Sequence, residues 1–146
     1  MKKALGLFLL LSASASTTLA QTYPPVEVFK SPTCRCCSKW VEHLKSNGFR
    51  VNAHDISDVN VERKRLGMPD SFSSCHTASV GGYVVEGHIP ATDIQRLLKG
   101  RPKAVGIAVP AMPPGSPGME SPRPVSYETL LVQKDGSDLL LTFRTS

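Results

Sequence analysis

Residues 31–40 read Ser-Pro-Thr-Cys-Arg-Cys-Cys-Ser-Lys-Trp, and three of the four cysteines of the chain fall within this stretch. It follows an apolar run at residues 26–29 that is typical of a buried strand. It leads into a helical pattern in which Trp40, Val41 and Leu44 share one face, with Gly48 as the stop signal. A strand that delivers thiols to the first turn of a helix is typical of thioredoxin-type redox sites and of soft-metal sites. The unpaired N–H groups of the helix N-terminus favour thiolate over thiol at such a position.

The pattern that follows predicts the remaining elements of an α/β, thioredoxin-like single domain. Residues 49–54 alternate like a second strand, and residues 58–66 form a second helix that Gly67 and Pro69 end. Two short apolar runs flank a glycine pair at residues 81–82 and predict a hairpin. A third helix follows over residues 91–99, so the order is β-α-β-α-β-β-α.

The segment 104–124 differs from the rest because prolines and glycines recur throughout it. We predict a long loop insertion there, with neither a helix nor a central strand. The loop carries Met112 and Met119, whose thioethers either face a metal or simply cover the core. A C-terminal hairpin is predicted beyond it, with strands at residues 127–133 and 139–144 around a turn at residues 134–137.

Residues 1–20 have the features of a secretory signal peptide. Lys2 and Lys3 precede a short apolar run, and residues 18–20 offer a small-x-small cleavage site. The run is far shorter than the roughly 20 apolar residues that span a bilayer. We therefore expect export to the periplasm, no membrane insertion after cleavage, and a domain over residues 21–146.

The charge balance argues against nucleic-acid or membrane-surface binding. The full sequence has 17 basic and 12 acidic residues. Without Lys2 and Lys3 of the signal peptide, 15 basic residues remain, and the net charge of the mature chain is +3. This is too small an excess to attract a polyanion. The basic run at residues 63–65 is interpreted as the exposed face of a helix.

Cysteine spacing favours a reactive or metal-binding cluster over structural cross-links. Among the three clustered cysteines only Cys34 and Cys37 can pair without strain, and theirs is the redox-active C-x-x-C spacing. A third thiol at Cys36 exceeds what disulfide exchange needs and invites wrong pairings. Three or four thiolates suit a soft cation. Copper(I) fits better than zinc, because zinc ligands usually come as two separated pairs.

Cys75 and two histidines extend this candidate site. In thioredoxin-like folds the loop before the third strand faces the helix-borne cysteines, and Cys75 lies in that loop. The alternative is a buried free cysteine that packs as a small apolar residue. His76 and His88 are candidates for metal ligands or for supporting partners. His43 and His54 are expected to face solvent.

Several motifs resemble the periplasmic CopG-type copper-resistance family, long catalogued as a domain of unknown function. They are the C-x-C-C motif at residues 34–37, residues 74–78, residues 82–91, residues 106–113 and residues 115–120. The resemblance implies a thioredoxin-like fold that binds a multinuclear copper cluster through Cys34, Cys36, Cys37 and Cys75. It also implies interconversion of copper(I) and copper(II), and a proline-rich loop over the site. Ala111 departs from the family pattern, in which glycine is expected.

Three functional hypotheses follow. In the first, the chain binds copper(I) in the periplasm, with copper ions and other copper-handling proteins as partners. In the second, it is a thiol-disulfide oxidoreductase in which Cys34 is the nucleophile and Cys37 resolves the mixed disulfide. In the third, the thiols pass an electron to copper. Whether the protein is an enzyme stays open between them.

Overall fold

A seven-stranded sheet with helices on both faces organises the computed structural model, which describes residues 23–141. The helices are α1 (Arg35–Ser46), α2 (Val59–Leu66) and α3 (Ala91–Gly100), and a 3₁₀ turn spans Asp70–Phe72. The strands, in chain order, are β1 (Val26–Lys30), β2 (Val51–Asp55), β3 (His76–Val80), β4 (Tyr83–Glu86), β5 (Gly106–Ala108), β6 (Thr129–Val132) and β7 (Asp138–Leu141).

The strand order β2-β1-β3-β4 establishes the thioredoxin-like class that the sequence predicted. Strand β1 pairs parallel with β2 across the crossover helix α1, and antiparallel with β3. The β3–β4 hairpin turns at the predicted glycine pair, and α3 follows it. The predicted signal peptide at residues 1–20 lies outside the described residues, and the domain boundary at residue 21 stays a prediction.

The two faces of the sheet hold separate apolar clusters. The larger cluster lies under α1 and α3 and includes Trp40, Leu44 and Ile94, which are fully buried. The smaller cluster lies on the opposite face, where Met68 and Phe72 pack near the end of α2. Adjacent residues of a strand point to opposite faces of the sheet. When both faces are covered, the sequence of each strand is therefore a nearly continuous apolar run.

The predicted loop insertion starts later than the sequence suggested. Residues 106–108 form β5, a central strand between β4 and β6, so excluding a central strand from this segment was wrong. The prolines begin only at Pro110, which leaves every N–H of β5 free to pair. Gly106 is required there, because a Cβ atom would lie 1.8 Å from the carbonyl oxygen of Val84. The C-terminal hairpin is present as β6 and β7, and its predicted residues 142–144 lie outside the described residues.

The basic run at residues 63–65 is not wholly exposed, contrary to the prediction. Lys64 and Arg65 face solvent, whereas Arg63 is 1% exposed. Arg63 lies four residues after Val59 and three before Leu66, so helical spacing places it on the inward face of α2. The buried guanidinium of Arg63 donates a hydrogen bond to the carbonyl oxygen of Ser74, the residue before Cys75.

Candidate metal centre

Helix α1 begins at the cysteine motif, as the sequence predicted. Cys34 is the N-cap residue, and its sulfur accepts a hydrogen bond from the backbone N–H of Cys37 over 3.3 Å. One helical turn therefore brings the two sulfurs together, and they form a disulfide. Cys36 is a free thiol whose sulfur lies 3.4 Å from that of Cys34. The C-x-x-C and C-x-C spacings are thus both realised at one helix N-terminus.

Cys75 approaches this cluster from the neighbouring strand. The antiparallel pairing of β1 with β3 puts His76 opposite Lys30, so the start of β3 lies beside the end of β1. Cys75, one residue before β3, therefore reaches α1, and its sulfur lies 3.4 Å from that of Cys37. The four sulfur atoms all lie within 4.8 Å of one another. The loop placement expected for Cys75 is what the structure shows, and metal binding by the four sulfurs stays a prediction.

The solvent exposure of the cluster is low. Cys37 is fully buried, and Cys36 and Cys75 are half-buried. Burial, and to a smaller extent the neighbouring Cys36, raises the pKa of the Cys75 thiol to about 12. Without a metal, this thiol is therefore protonated at neutral pH.

His88 directs one ring nitrogen at the sulfur cluster. Its Nδ1 lies 2.8 Å from the carbonyl oxygen of Pro117, which can only accept, so Nδ1 carries the proton. Burial lowers the pKa of His88, and the second nitrogen, Nε2, is then unprotonated. Nε2 lies 3.0 Å from the sulfur of Cys75. A backbone carbonyl thus fixes the tautomer that leaves a free nitrogen lone pair for a metal.

His76 is the second imidazole at the cluster. It is fully buried, its Nδ1 lies 3.4 Å from the sulfur of Cys75, and its ring packs on Trp40 at a centroid distance of 4.3 Å. Burial, with the nearby His88, lowers the pKa of His76 to about 3, so the imidazole is neutral. Its Nε2 is buried and makes no hydrogen bond within the part of the chain that the structure describes. Cys75, His76 and His88 form a second set of donors with metal-ligand proximity.

Comparison with known proteins decides the family. Residues 72–119 match a family described as "Protein of unknown function, DUF411". A solved structure named copper resistance protein CopG, form 1, is 41% identical, with a TM-score of 0.77 over 82% of this chain and 96% of that one. Form 2 of the same protein is 40% identical, with a TM-score of 0.79 over 85% of this chain and 99% of that one.

The chain belongs to the CopG family. No significant match is found among curated proteins. The match to residues 72–119 includes Cys75 and both imidazoles but not the cysteines of α1. The site therefore depends on two segments of the chain that only the fold brings together.

The proline-rich loop of this CopG-family chain lies against the cysteine helix. A Cβ atom on Gly118 would lie 2.7 Å from the carbonyl oxygen of Cys36 and 2.9 Å from the backbone nitrogen of Trp40. Glu120 accepts a hydrogen bond from the N–H of Gly118 and lies 3.5 Å from Lys39 of α1. The loop thus contacts α1 as well as His88.

The two methionines of the loop are both at least partly exposed to solvent. Met112 is 44% exposed, and Met119 is half-buried. Ala111, where the family pattern has glycine, adopts a left-handed backbone with φ of +61°. The departure changes the residue but not the backbone conformation that favours glycine.

The two remaining histidines lie away from the sulfur cluster. His43 is half-buried rather than solvent-facing, and its Nε2 accepts the N–H of Ala91 at the start of α3. His54 is exposed, as predicted, and its Nε2 lies 2.7 Å from a carboxylate oxygen of Glu27. Both therefore have structural partners of their own.

A buried ion pair contacts Ser74, the residue before Cys75, and was not predicted from the sequence. Arg63 of α2 and Glu86 of β4, which is fully buried, lie 2.9 Å apart. Burial raises the pKa of Glu86, and the N–H of Ser74 and the charge of Arg63 oppose that rise. The helical spacing of Arg63 from Val59 and Leu66 was a signal for the burial of its side chain, but it does not identify Glu86 as the partner.

Proposed function

We propose that this protein binds copper(I) as its cargo in the periplasm and acts in copper resistance. The observation that carries the proposal is that four sulfur atoms, contributed by two separate segments of the fold, lie within 4.8 Å of one another. Thiolates select copper(I), zinc or iron–sulfur clusters, and the names of the CopG structures favour copper among these.

The donor set suits more than one copper ion. Cys34, Cys36, Cys37 and Cys75 supply four sulfurs, and thiolate sulfur can bridge two soft ions. The neutral imidazoles of His76 and His88 add nitrogen donors next to Cys75. We infer a thiolate-bridged copper(I) cluster held by the four cysteines, with the two histidines as further ligands or as supporting partners.

Copper binding by all four cysteines requires that the Cys34–Cys37 disulfide be reduced. A disulfide sulfur carries no thiolate charge, so only Cys36 and Cys75 are available in the oxidised protein. Two electrons and two protons convert the disulfide to two thiols and restore the four-sulfur set. The proposed copper redox activity is the reverse reaction: two copper(II) ions take one electron each from the thiols of Cys34 and Cys37, which form the disulfide and release two protons, and the ions become copper(I).

Export follows from the predicted signal peptide, and the periplasm with its copper-handling proteins is the proposed setting. None of the helices in residues 23–141 is long and apolar enough to cross a membrane. The test of the function is anaerobic copper(I) loading of the reduced protein followed by elemental analysis. We expect several copper ions per chain, and metal content at background overturns the proposal.

A second function, thiol-disulfide exchange with protein substrates, is favoured by the disulfide itself. Cys34 is half-buried at the helix N-terminus, where a nucleophilic thiolate is stabilised, and Cys37, to which it is joined in the disulfide, is the proposed resolving partner. Reduction of insulin by the metal-free protein tests this function. A Cys36→Ser variant that keeps turnover while losing copper places the two functions on separable residues.

A further inference from the structure

The loop that carries Cys75 is held by the buried ion pair Arg63–Glu86. Arg63 donates from Nη2 to the carbonyl oxygen of Ser74 over 2.8 Å. The N–H of Ser74 donates to Oε1 of Glu86 over 2.7 Å, and Nε of Arg63 donates to the same oxygen over 2.9 Å. The three groups close a ring around Ser74. We call this ring the Ser74 clamp.

The clamp satisfies backbone groups that the sheet does not reach. Ser74 lies two residues before the first residue of β3, so its N–H and C=O have no partner in the strand ladder. Arg63 and Glu86 are almost completely shielded from solvent, so water cannot replace either hydrogen bond. Only a guanidinium reaches all the partners of Arg63, since its third nitrogen, Nη1, binds the side chain of Asn60.

The surrounding loop leaves Ser74 little room to move. Its hydroxyl donates to the carbonyl oxygen of Ala111, whose own N–H donates to Ser73 over 3.2 Å. A Cβ atom on Gly87 would lie 2.7 Å from that hydroxyl oxygen. The clamp is also close in the chain to two residues of the candidate site. Cys75 directly follows Ser74, and His88 lies two residues after Glu86.

We propose that Arg63 and Glu86 are positioning residues that hold the sulfur of Cys75 against that of Cys37. Both side chains act through their hydrogen bonds with the backbone of Ser74. The consequence for copper rests on the proposed function. The placement of the sulfur does not, and it can be measured without metal.

The experiment uses a Cys34→Ser/Cys36→Ser background, in which Cys37 and Cys75 are the only thiols. The protein is equilibrated with glutathione redox buffer, and the fraction that carries the Cys37–Cys75 disulfide is measured by alkylation and mass spectrometry. This fraction gives the effective concentration of the Cys75 thiol at the Cys37 thiol. Trypsin cleaves after Arg35, Lys39, Arg65 and Arg96, so Cys37 and Cys75 fall on separate peptides. The Cys37–Cys75 disulfide is therefore counted directly.

Arg63→Lys is the informative variant, because it keeps the positive charge beside Glu86 but cannot also hold the carbonyl of Ser74. We expect it to lower the effective concentration by about tenfold, which equals about 30 mV in the reduction potential of the pair. Arg63→Met should lower it at least as far. Lys64→Met, on the exposed face of the same helix, is the matched control and should leave it unchanged.

Thermal unfolding of each reduced variant ensures that only folded proteins are compared, and Arg63→Lys carries the test if Arg63→Met does not fold. A folded Arg63→Lys variant that matches the background protein overturns the proposal, because the pair would then serve stability alone. Copper(I) loading of Arg63→Lys with all four cysteines present follows. If the unsubstituted chain binds no copper, the proposed function fails while the thiol measurement still decides the role of the clamp.

Discussion

The sulfur of Cys75 lies 3.4 Å from the sulfur of Cys37, although 38 positions separate them in the chain. Cys37 is placed by the first turn of α1, and Cys75 by the antiparallel pairing of β3 with β1. The contact therefore exists only in the folded protein. Metal affinity at this site should be coupled to folding, because an unfolded chain separates the two ligand groups.

The Cys34–Cys37 disulfide should control copper capacity. We expect the oxidised protein to bind fewer copper(I) ions than the reduced one, because only Cys36 and Cys75 remain as thiols. Competition against a chromophoric copper(I) chelator, with and without prior reduction, measures the difference. Equal capacity in both states would show that Cys34 and Cys37 are not ligands.

Copper(I) affinity should rise from mildly acidic to mildly alkaline pH. Burial holds the pKa of Cys75 at about 12, so its thiol is protonated throughout this range and a bound metal must displace the proton. Each pH increase lowers the cost of losing that proton, and affinity increases. Proton release on loading, followed with an indicator in weak buffer, should be smaller in Cys75→Ser. A pH-independent affinity contradicts this account.

Gly118→Ala should destabilise the protein and disturb the loop at the site. The added Cβ would lie 2.7 Å from the carbonyl oxygen of Cys36, and φ at this position is +85°. We expect a loss of about 1–3 kcal/mol in the free energy of unfolding, measured by chemical denaturation.

Gly100→Ala is the matched control for that substitution. Its added Cβ would have only Pro102 within reach, at 4.0 Å, and Gly100 ends α3. We expect it to be neutral or to add about 0.5 kcal/mol, since alanine restricts the unfolded chain more than glycine does. Equal effects at both positions would show that the loop does not pack on α1.

Ala111→Gly should stabilise the protein slightly. Ala111 has φ of +61°, which costs a residue with a Cβ atom about 1–2 kcal/mol. Glycine removes that strain but gives the unfolded chain more freedom, worth about 0.4–1 kcal/mol. We expect a net gain of about 0.5 kcal/mol in the free energy of unfolding by denaturant titration. A clear loss of stability would mean that the alanine methyl group makes a necessary contact.

The sequence predicted the elements whose signals are local. Helix α1 is capped by Cys34 and ends before Gly48, and the signals for both ends and for the apolar face of Trp40 and Leu44 lie within a few residues of one another. The placement of Cys75 was predicted from the thioredoxin-like order of the elements, in which the loop before the third strand faces the helix-borne cysteines. The bounds of α1, by contrast, needed no knowledge of packing between distant segments.

The features that were missed depend on long-range packing. Strand β5 has three residues, and a glycine begins it because Val84 of the adjacent strand comes too close for any side chain. Arg63 resembles its exposed neighbours in sequence, and only Glu86 and Ser74 explain its burial. Neither partner can be identified from the residues beside Arg63 in the chain.

The most direct test of the four-sulfur site is copper(I) stoichiometry of the reduced protein and its Cys75→Ser variant. Cys75 lies in the loop before β3, apart in the chain from the other three cysteines, so its removal leaves α1 and its motif intact. We predict that the variant stays folded and loses bound copper. A folded Cys75→Ser variant with undiminished copper content would contradict the account, because the helix-borne cysteines would then suffice.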